Sequence, residues 1–230
     1  MRWPRSCKSP DGRAITYIGD PDVVNTLLEA RVDGTGTPRT LFAFPRGVDE
    51  GSWSADGRWL IMRVGVGTAR DIYALRPGVD SVARPIVATE AQELAPALSP
   101  DGRWLAYVSI ESGQMGVYVQ PFPTGEGPRT PVSVGGATEP AWSHDGRELF
   151  FRSDTHLMAV AVQPDGEFRA SEPRALFSTA GYWVDGLHTS YAVSPDDQSF
   201  YFVRQASGAG TRLVMVLNWF EELKAKMGNE

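Results

Sequence analysis

The sequence of 230 residues contains a single cysteine, Cys7, so no disulfide can form within the chain. Its longest apolar run, LVMVLNWF at residues 213–220, is far shorter than the roughly 20 residues that a membrane span requires. The N-terminal MRWPRSCKSPDGR has basic residues but lacks the apolar core of a secretory signal. The formal net charge is −6 and no Lys/Arg cluster occurs, which argues against nucleic acid as a partner. These absences leave the cellular compartment open.

Motifs of catalysis are also absent. The chain has no G-x-S-x-G element, no H-R-D or D-F-G sequence and no Gly-rich phosphate loop. Its histidines, His144, His156 and His188, are separated by 12 and 32 residues (156 − 144 and 188 − 156), which is not the spacing of zinc ligands, and Cys7 is remote. We therefore expect a non-enzymatic chain without a metal site, a cofactor or catalytic residues.

A short phrase recurs five times along the chain. The copies are SPDGRAITYIG from Ser9, SADGRWLIMRV from Ser54, SPDGRWLAYVS from Ser99, SHDGRELFFRS from Ser143 and SPDDQSFYFVR from Ser194. The intervals are 45, 45, 44 and 51 residues (54 − 9, 99 − 54, 143 − 99 and 194 − 143). A period near 45 with strand-like content is the length of one four-stranded propeller blade. The sequence therefore predicts an all-β propeller with repeat turns at residues 9–13, 54–58, 99–103, 143–147 and 194–198.

Each repeat is predicted to contain four strands, in the third repeat at residues 95–99, 104–109, 115–122 and 129–134. The second strands carry consecutive bulky apolar residues, such as Leu149-Phe150-Phe151, which indicates that both faces of each sheet are covered. The fifth repeat supplies strands at 189–194, 199–204 and 211–217 but lacks its outermost one. Residues 1–217 are thus predicted to form blades, and residues 218–230 a short helix and tail. We expect an open arc, or a fragment of a six- or seven-bladed propeller.

The SPDG-R repeat resembles the WD40-like (PD40) repeat of the TolB family, and this resemblance covers nearly the whole chain. The tail LVMVLNWFEELKAK at residues 213–226 resembles the C-terminus of propeller domains attached to bacterial receptor-type serine/threonine kinases. This resemblance implies a sensor or protein-interaction domain with an extracytoplasmic location. Two alternatives stay open, a TolB-type periplasmic propeller that contacts envelope proteins and the propeller of a prolyl-oligopeptidase-like hydrolase without its catalytic domain.

The repeated turn residues are interpreted as structural, since Asp suits a tight turn, and each Arg that follows is expected to tie neighbouring blades. Candidate binding residues lie instead in the loops that join one repeat to the next, on the opposite face. These loops carry six acidic residues against one arginine, Arg46, and the last contains an aromatic pair between glycines. The predicted ligand face comprises Asp49, Glu50, Glu90, Glu93, Glu139, Tyr182, Trp183 and Asp185. Its expected partner is a protein or peptide, or a small cationic ligand.

Overall fold

A computed structural model describes residues 6–19, 26–205 and 211–216 of the chain. These residues form nineteen β-strands in five antiparallel sheets, and no helix occurs among them. In each sheet the strands follow one another in chain order, so each is a meander that begins with an inner strand. The described part of the chain contains no helix of the length and apolarity needed to cross a membrane. The predicted all-β class is confirmed.

The strands are numbered in chain order, and their bounds follow sheet by sheet. The first sheet consists of β1 to β4, at Ser6–Lys8, Ala14–Ile18, Thr26–Arg31 and Arg39–Ala43. The second consists of β5 to β8, at Val48–Trp53, Leu60–Val66, Ala69–Leu75 and Arg84–Val87. The third consists of β9 to β12, at Glu93–Leu98, Trp104–Ser109, Gly116–Pro121 and Thr130–Pro131. The fourth consists of β13 to β16, at Ala137–Trp142, Glu148–Ser153, His156–Ala161 and Arg174–Ser178. The fifth consists of β17 to β19, at Tyr191–Val193, Phe200–Gln205 and Thr211–Val216.

The recurring phrase forms the turn between the first two strands of each sheet. In the third copy the Ser99 hydroxyl donates to Asp101 Oδ1 (2.6 Å) and accepts from the Trp104 amide (2.9 Å). Asp101 Oδ1 also accepts from the Arg103 amide (3.0 Å), and Gly102 takes the left-handed backbone (φ 70°) that the turn requires. The same three side-chain bonds recur around Ser9, Ser54, Ser143 and Ser194. The repeated aspartates therefore close turns, as predicted.

The sheets stack face to face, and an apolar core fills each of the four interfaces between successive sheets. The consecutive apolar residues of the second strands divide between two such cores. Leu149 and Phe151 point toward the third sheet, whereas Phe150 between them packs toward the fifth. This arrangement explains why β6, β10 and β14 are buried on both faces.

Hydrogen bonds across the interfaces reinforce the stacking. The indole of Trp142 in the fourth sheet donates to the Ala97 carbonyl in the third (3.0 Å). The predicted ties from the turn arginines are largely wrong: among the described residues, only Arg103 of the four bonds to another sheet. It donates to the carbonyls of Pro164 and Gly166 in the fourth sheet. Arg58 instead pairs with Asp56 of its own turn, because the carboxylate two residues away is within easy reach.

The ends of the arc differ from its middle. The fifth sheet shows three strands in the described residues, as expected from its missing outermost strand. Strand contacts join each sheet to the next, and among the described strands no comparable packing joins the fifth sheet to the first. The predicted helix at residues 218–230 lies outside the described residues, so the boundary at residue 217 stays a prediction.

Candidate ligand-binding face

The predicted binding residues lie on the side of the sheets opposite the SPDG turns, here called the loop face. Four of them were expected in loops but belong to inner strands: Asp49 and Glu50 to β5, Glu93 to β9 and Glu139 to β13. Glu93 and Glu139 are fully buried, with 0% exposure, so they form no part of an open surface. Glu90 stays in a loop and is exposed.

Three of the inner strands, β5, β9 and β13, contain an irregularity in their pairing near the loop face. The pairing register shifts between Val48 and Glu50, and again between Thr138 and Ala141. At the second of these, Glu139 takes a left-handed backbone (φ 57°), which non-glycine residues seldom adopt. Such a bulge re-aims one side chain and lets pairing continue beyond it. The result is that Glu139 points into the protein.

Arg63 of β6 forms the first charged cluster of the loop face, and its side chain is completely buried. Its Nη2 lies 3.1 Å from Asp49 Oδ2, and its Nε lies 3.8 Å from Glu50 Oε2. Nη1 also donates to the Leu187 carbonyl at 3.4 Å, although Leu187 is 124 residues away in the sequence. A buried guanidinium is stable only with such partners. Arg63 thus joins the second sheet to the β16–β17 loop (residues 179–190).

His188 of the β16–β17 loop lies between opposite charges in the same cluster. Its Nε2 is 3.1 Å from Arg63 Nη2, and its Nδ1 is 3.0 Å from Glu50 Oε2. Because a guanidinium can only donate hydrogen bonds, Nε2 is the acceptor in the contact with Arg63. This histidine had no predicted partner, since nothing local in the sequence connects it to β5 and β6.

Arg152 of β14 forms a second cluster in the fourth sheet. Its Nη1 donates to the Trp183 carbonyl (2.7 Å) and lies 3.6 Å from Glu139 Oε2. Glu139 Oε1 accepts from the Ser190 hydroxyl (2.8 Å) and from the Asp185 amide (3.3 Å). Burial raises the pKa of Glu139, and the bond from Ser190 and the charge of Arg152 partly offset this rise. Apart from the contact between Arg152 and Glu139 themselves, these hydrogen bonds lead to the β16–β17 loop.

Glu93 forms a third, separate feature in the third sheet. Its Oε1 accepts a short bond (2.6 Å) from the Thr89 hydroxyl. Burial raises the pKa of Glu93, opposed by the hydrogen bonds from Thr89. The carboxylate therefore holds the bend before β9 and is not exposed at the loop face.

In the β16–β17 loop, an inward-facing residue lies on either side of three exposed ones. Tyr182 is half-buried, and its ring lies on that of Phe202 with centroids 4.9 Å apart, so it anchors the loop. Trp183 and Val184 follow with 49% and 48% of their surface exposed, and Asp185 is exposed beside them. Leu187 then packs against the core between the third and fourth sheets. Of the predicted aromatic pair, only Trp183 is available to a partner.

The buried arginines were missed, although the repeat carries a signal for them. Arg63 and Arg152 each lie nine residues after the serine of their turn (63 − 54 and 152 − 143). The equivalent positions in the other three repeats hold apolar residues, which are Ile18, Val108 and Val203. A charge at a core position of a repeat signals a specific partner. The two arginines also balance part of the predicted acidic charge.

The described residues contain no group of three or more His, Cys, Asp or Glu side chains arranged to hold a metal ion. Asp49, Glu50 and Glu139 instead lie beside the two arginines, His188 or the Ser190 hydroxyl. The arrangement is one of structural pairs that fix the backbone of a single long loop.

No family model matches the sequence, and no curated protein matches it either. Solved structures do match. A protein assigned as a TolB from Agrobacterium tumefaciens superposes with a TM-score of 0.70 at 19% identity, over 94% of this chain and 77% of that one. TolB from Acinetobacter baumannii gives 0.62 at 16% identity, over 94% of this chain and 50% of that one. At these identities the likeness shows the fold, which is that of a TolB-like β-propeller.

The same fold occurs within a larger enzyme. A puromycin-hydrolysing peptidase from Mycobacterium tuberculosis matches with a TM-score of 0.64 at 22% identity, over 93% of this chain but only 36% of that one. This chain therefore spans about a third of the peptidase, half of the Acinetobacter TolB and three quarters of the Agrobacterium protein.

Proposed function

We propose that this chain is a non-enzymatic interaction module, the sensor or protein-interaction domain of a bacterial signalling kinase. The TolB-like propeller fold supports the interaction role, and the resemblance of residues 213–226 to kinase-attached propellers supports the kinase. The observation that carries the binding role is the loop face, where buried Arg63 and Arg152 hold one long loop with Trp183 outward. A rigid surface loop is how a scaffold presents recognition residues.

The charge of the loop face favours a cationic ligand, either a peptide or a small molecule. Asp49 and Glu50 keep 20% of their side chains exposed and Asp185 keeps 34%, and Glu90 is exposed in the loop before β9. Carboxylates at a shared surface attract positive groups and raise the rate of encounter. The net charge of −6 acts in the same direction and disfavours nucleic acid.

An octalysine peptide tests this preference by isothermal titration calorimetry with the full chain, and octaglutamate is the matched control. We expect octalysine to bind more weakly as salt rises, and Glu90→Lys and Asp185→Lys to reduce its affinity further. Glu93→Lys is unsuitable, because that buried side chain would unfold its surroundings. Equal affinity for the two peptides, or unchanged affinity in both lysine variants, would contradict a cationic ligand.

The kinase role has a separate test in the genomic reading frame. A kinase domain and a membrane span encoded before this segment are the expected result. A signal peptide before it would favour the TolB-type alternative, to which the two TolB structures give the same fold-level support. A G-x-S-x-G domain after it would favour the hydrolase alternative.

A further inference from the structure

The β16–β17 loop is fixed at two points by arginines from different sheets. Arg152 of the fourth sheet donates to the Trp183 carbonyl, and Arg63 of the second donates to the Leu187 carbonyl. Both guanidinium side chains are almost fully buried, with 4% and 0% exposure. The two bonds enclose a segment of five residues, 183–187, whose backbone is thereby held to the scaffold.

Further bonds remove the remaining freedom of this segment. The Trp183 amide donates to the Val203 carbonyl (2.7 Å), and the Ser190 hydroxyl oxygen, whose proton is donated to Glu139, lies 3.1 Å from the Trp183 carbonyl. The Leu187 amide donates to Asp185 Oδ1 (3.3 Å), which closes a local turn. The backbone is therefore held by the protein itself, whereas about half of the surface of Trp183 and of Val184 stays exposed.

Two buried arginines thus hold the backbone of a loop whose tryptophan side chain is exposed. Ordering a loop on binding opposes affinity, so a loop that is already ordered binds more tightly for the same contacts. Tryptophan is also the residue most enriched among those that dominate binding energy at interfaces. The two arginines are placed to supply this order without occupying the exposed surface.

We infer that Trp183 and Val184 form a preorganised docking tip that inserts into an apolar pocket rimmed by Lys or Arg on a partner protein. The apolar pocket follows from the two exposed side chains. The basic rim follows from charge: Asp185 follows the tip directly in the chain and keeps 34% of its side chain exposed, and Asp49 and Glu50 of the same loop face each keep 20%. The inference rests on the proposed function only in that the loop face binds a partner. Arg63 and Arg152 are positioning residues, since they act through the loop backbone.

A phage library of disulfide-constrained 12-residue peptides supplies the probe, selected on the full chain and depleted on Trp183→Ala. We expect the recovered peptides to combine apolar residues with an excess of Lys and Arg. Their affinity should fall at least tenfold in Trp183→Ala. Recovery of acidic peptides, recovery of none, or equal affinity for Trp183→Ala would overturn the inference.

Hydrogen exchange of the full chain tests the positioning role. Arg152→Lys keeps the charge but loses the planar fork, so we expect faster exchange of the amides in 183–187 and at least threefold weaker peptide binding. Exchange in the first three sheets should not change. Arg103→Lys is the matched control, because Arg103 also binds two backbone carbonyls but on the turn side. It should leave the loop and the peptide affinity unaltered.

The two proposals fail in different ways. If octalysine does not bind but the selected peptides do, the cationic preference of the loop face falls while the docking tip stands. If the amides of 183–187 exchange in the unmodified chain as fast as those of an unstructured peptide, the tip is not preorganised, whatever octalysine does.

Discussion

The turns of the fourth and fifth sheets depart from the repeat at two positions that contact each other. His144 stands where the SPDG turns have Pro, and Asp197 stands where they have Gly. Asp197 therefore has the left-handed backbone of a glycine (φ 58°). Its carboxylate accepts from the His144 amide (2.9 Å) and lies 2.7 Å from His144 Nδ1. We expect the strain at one residue to be balanced by its bonds to the other.

The magnitudes follow from the geometry. A side chain at that φ costs about 1 kcal/mol relative to glycine. Hydrogen bonds to a charged acceptor contribute about 1.5–3 kcal/mol each when buried, and with Asp197 20% and His144 53% exposed we take about 2 kcal/mol for the pair. Asp197→Gly should then destabilise the chain by about 1 kcal/mol. In a His144→Pro background most of those bonds are already lost, so the same change should stabilise it by about 1 kcal/mol.

The assay is urea unfolding at pH 7 of the unmodified chain, Asp197→Gly, His144→Pro and the double variant. Unfolding is followed by circular dichroism and by tryptophan fluorescence, which should give coincident transitions. The reversal of sign corresponds to a coupling free energy of about 2 kcal/mol. Gly102→Ala calibrates the strain, because Gly102 has a φ of 70° and no atom lies within 4 Å of its added Cβ. A coupling below about 0.5 kcal/mol would refute the reasoning.

Two further predictions concern buried polar groups. Ser99→Ala removes both bonds of a turn hydroxyl that is only 3% exposed, so it should lower the free energy of unfolding by about 2 kcal/mol, whereas exposed Ser81→Ala should change it by less than about 0.5 kcal/mol. Burial raises the pKa of Glu93, so the folded chain favours its protonated form. Its stabilising contribution to the free energy of unfolding is therefore complete below the pKa that Glu93 has in the unfolded chain. That contribution is lost as the pH rises through the pKa that Glu93 has in the folded chain. Glu93→Gln should therefore raise the melting temperature more at pH 7 than at pH 4, and exposed Glu90→Gln should show no such trend. A pH-independent difference for Glu93→Gln would contradict the assignment.

The fold could be predicted from the sequence because its determinants are local and repeated. A Ser-x-Asp-Gly turn closes through bonds within five residues, and five copies at a constant interval fix the number of sheets. The three strands that the described residues form in the last sheet were likewise predicted from the apolar segments that follow the turn at Ser194. Both features depend on neighbours along the chain.

The candidate site was predicted only in part because its determinants are distant in sequence. The acidic residues were placed on the correct face, but the bulge that turns Glu139 inward has no local signature. The contact between Arg63 and His188 joins residues 125 positions apart, so composition alone cannot reveal it. Comparison of the repeats at the position of Arg63 was the one available signal, since apolar residues occupy that position in three repeats.

Four of the hydrogen bonds that cross between neighbouring sheets share a direction along the chain. Trp53 donates to Thr16, Gln120 to the Ile86 carbonyl, Trp142 to the Ala97 carbonyl and Tyr191 to the Glu139 carbonyl. In each pair the donor belongs to the later sheet and the acceptor to the earlier one. During synthesis on the ribosome, the earlier sheet of each pair emerges first. Its unpaired groups at these four places are acceptor oxygens, which water can solvate until the later sheet supplies the donor. At these four places the order of translation and the direction of the hydrogen bonds coincide, whereas Arg103 and His144 donate from an earlier sheet to a later one.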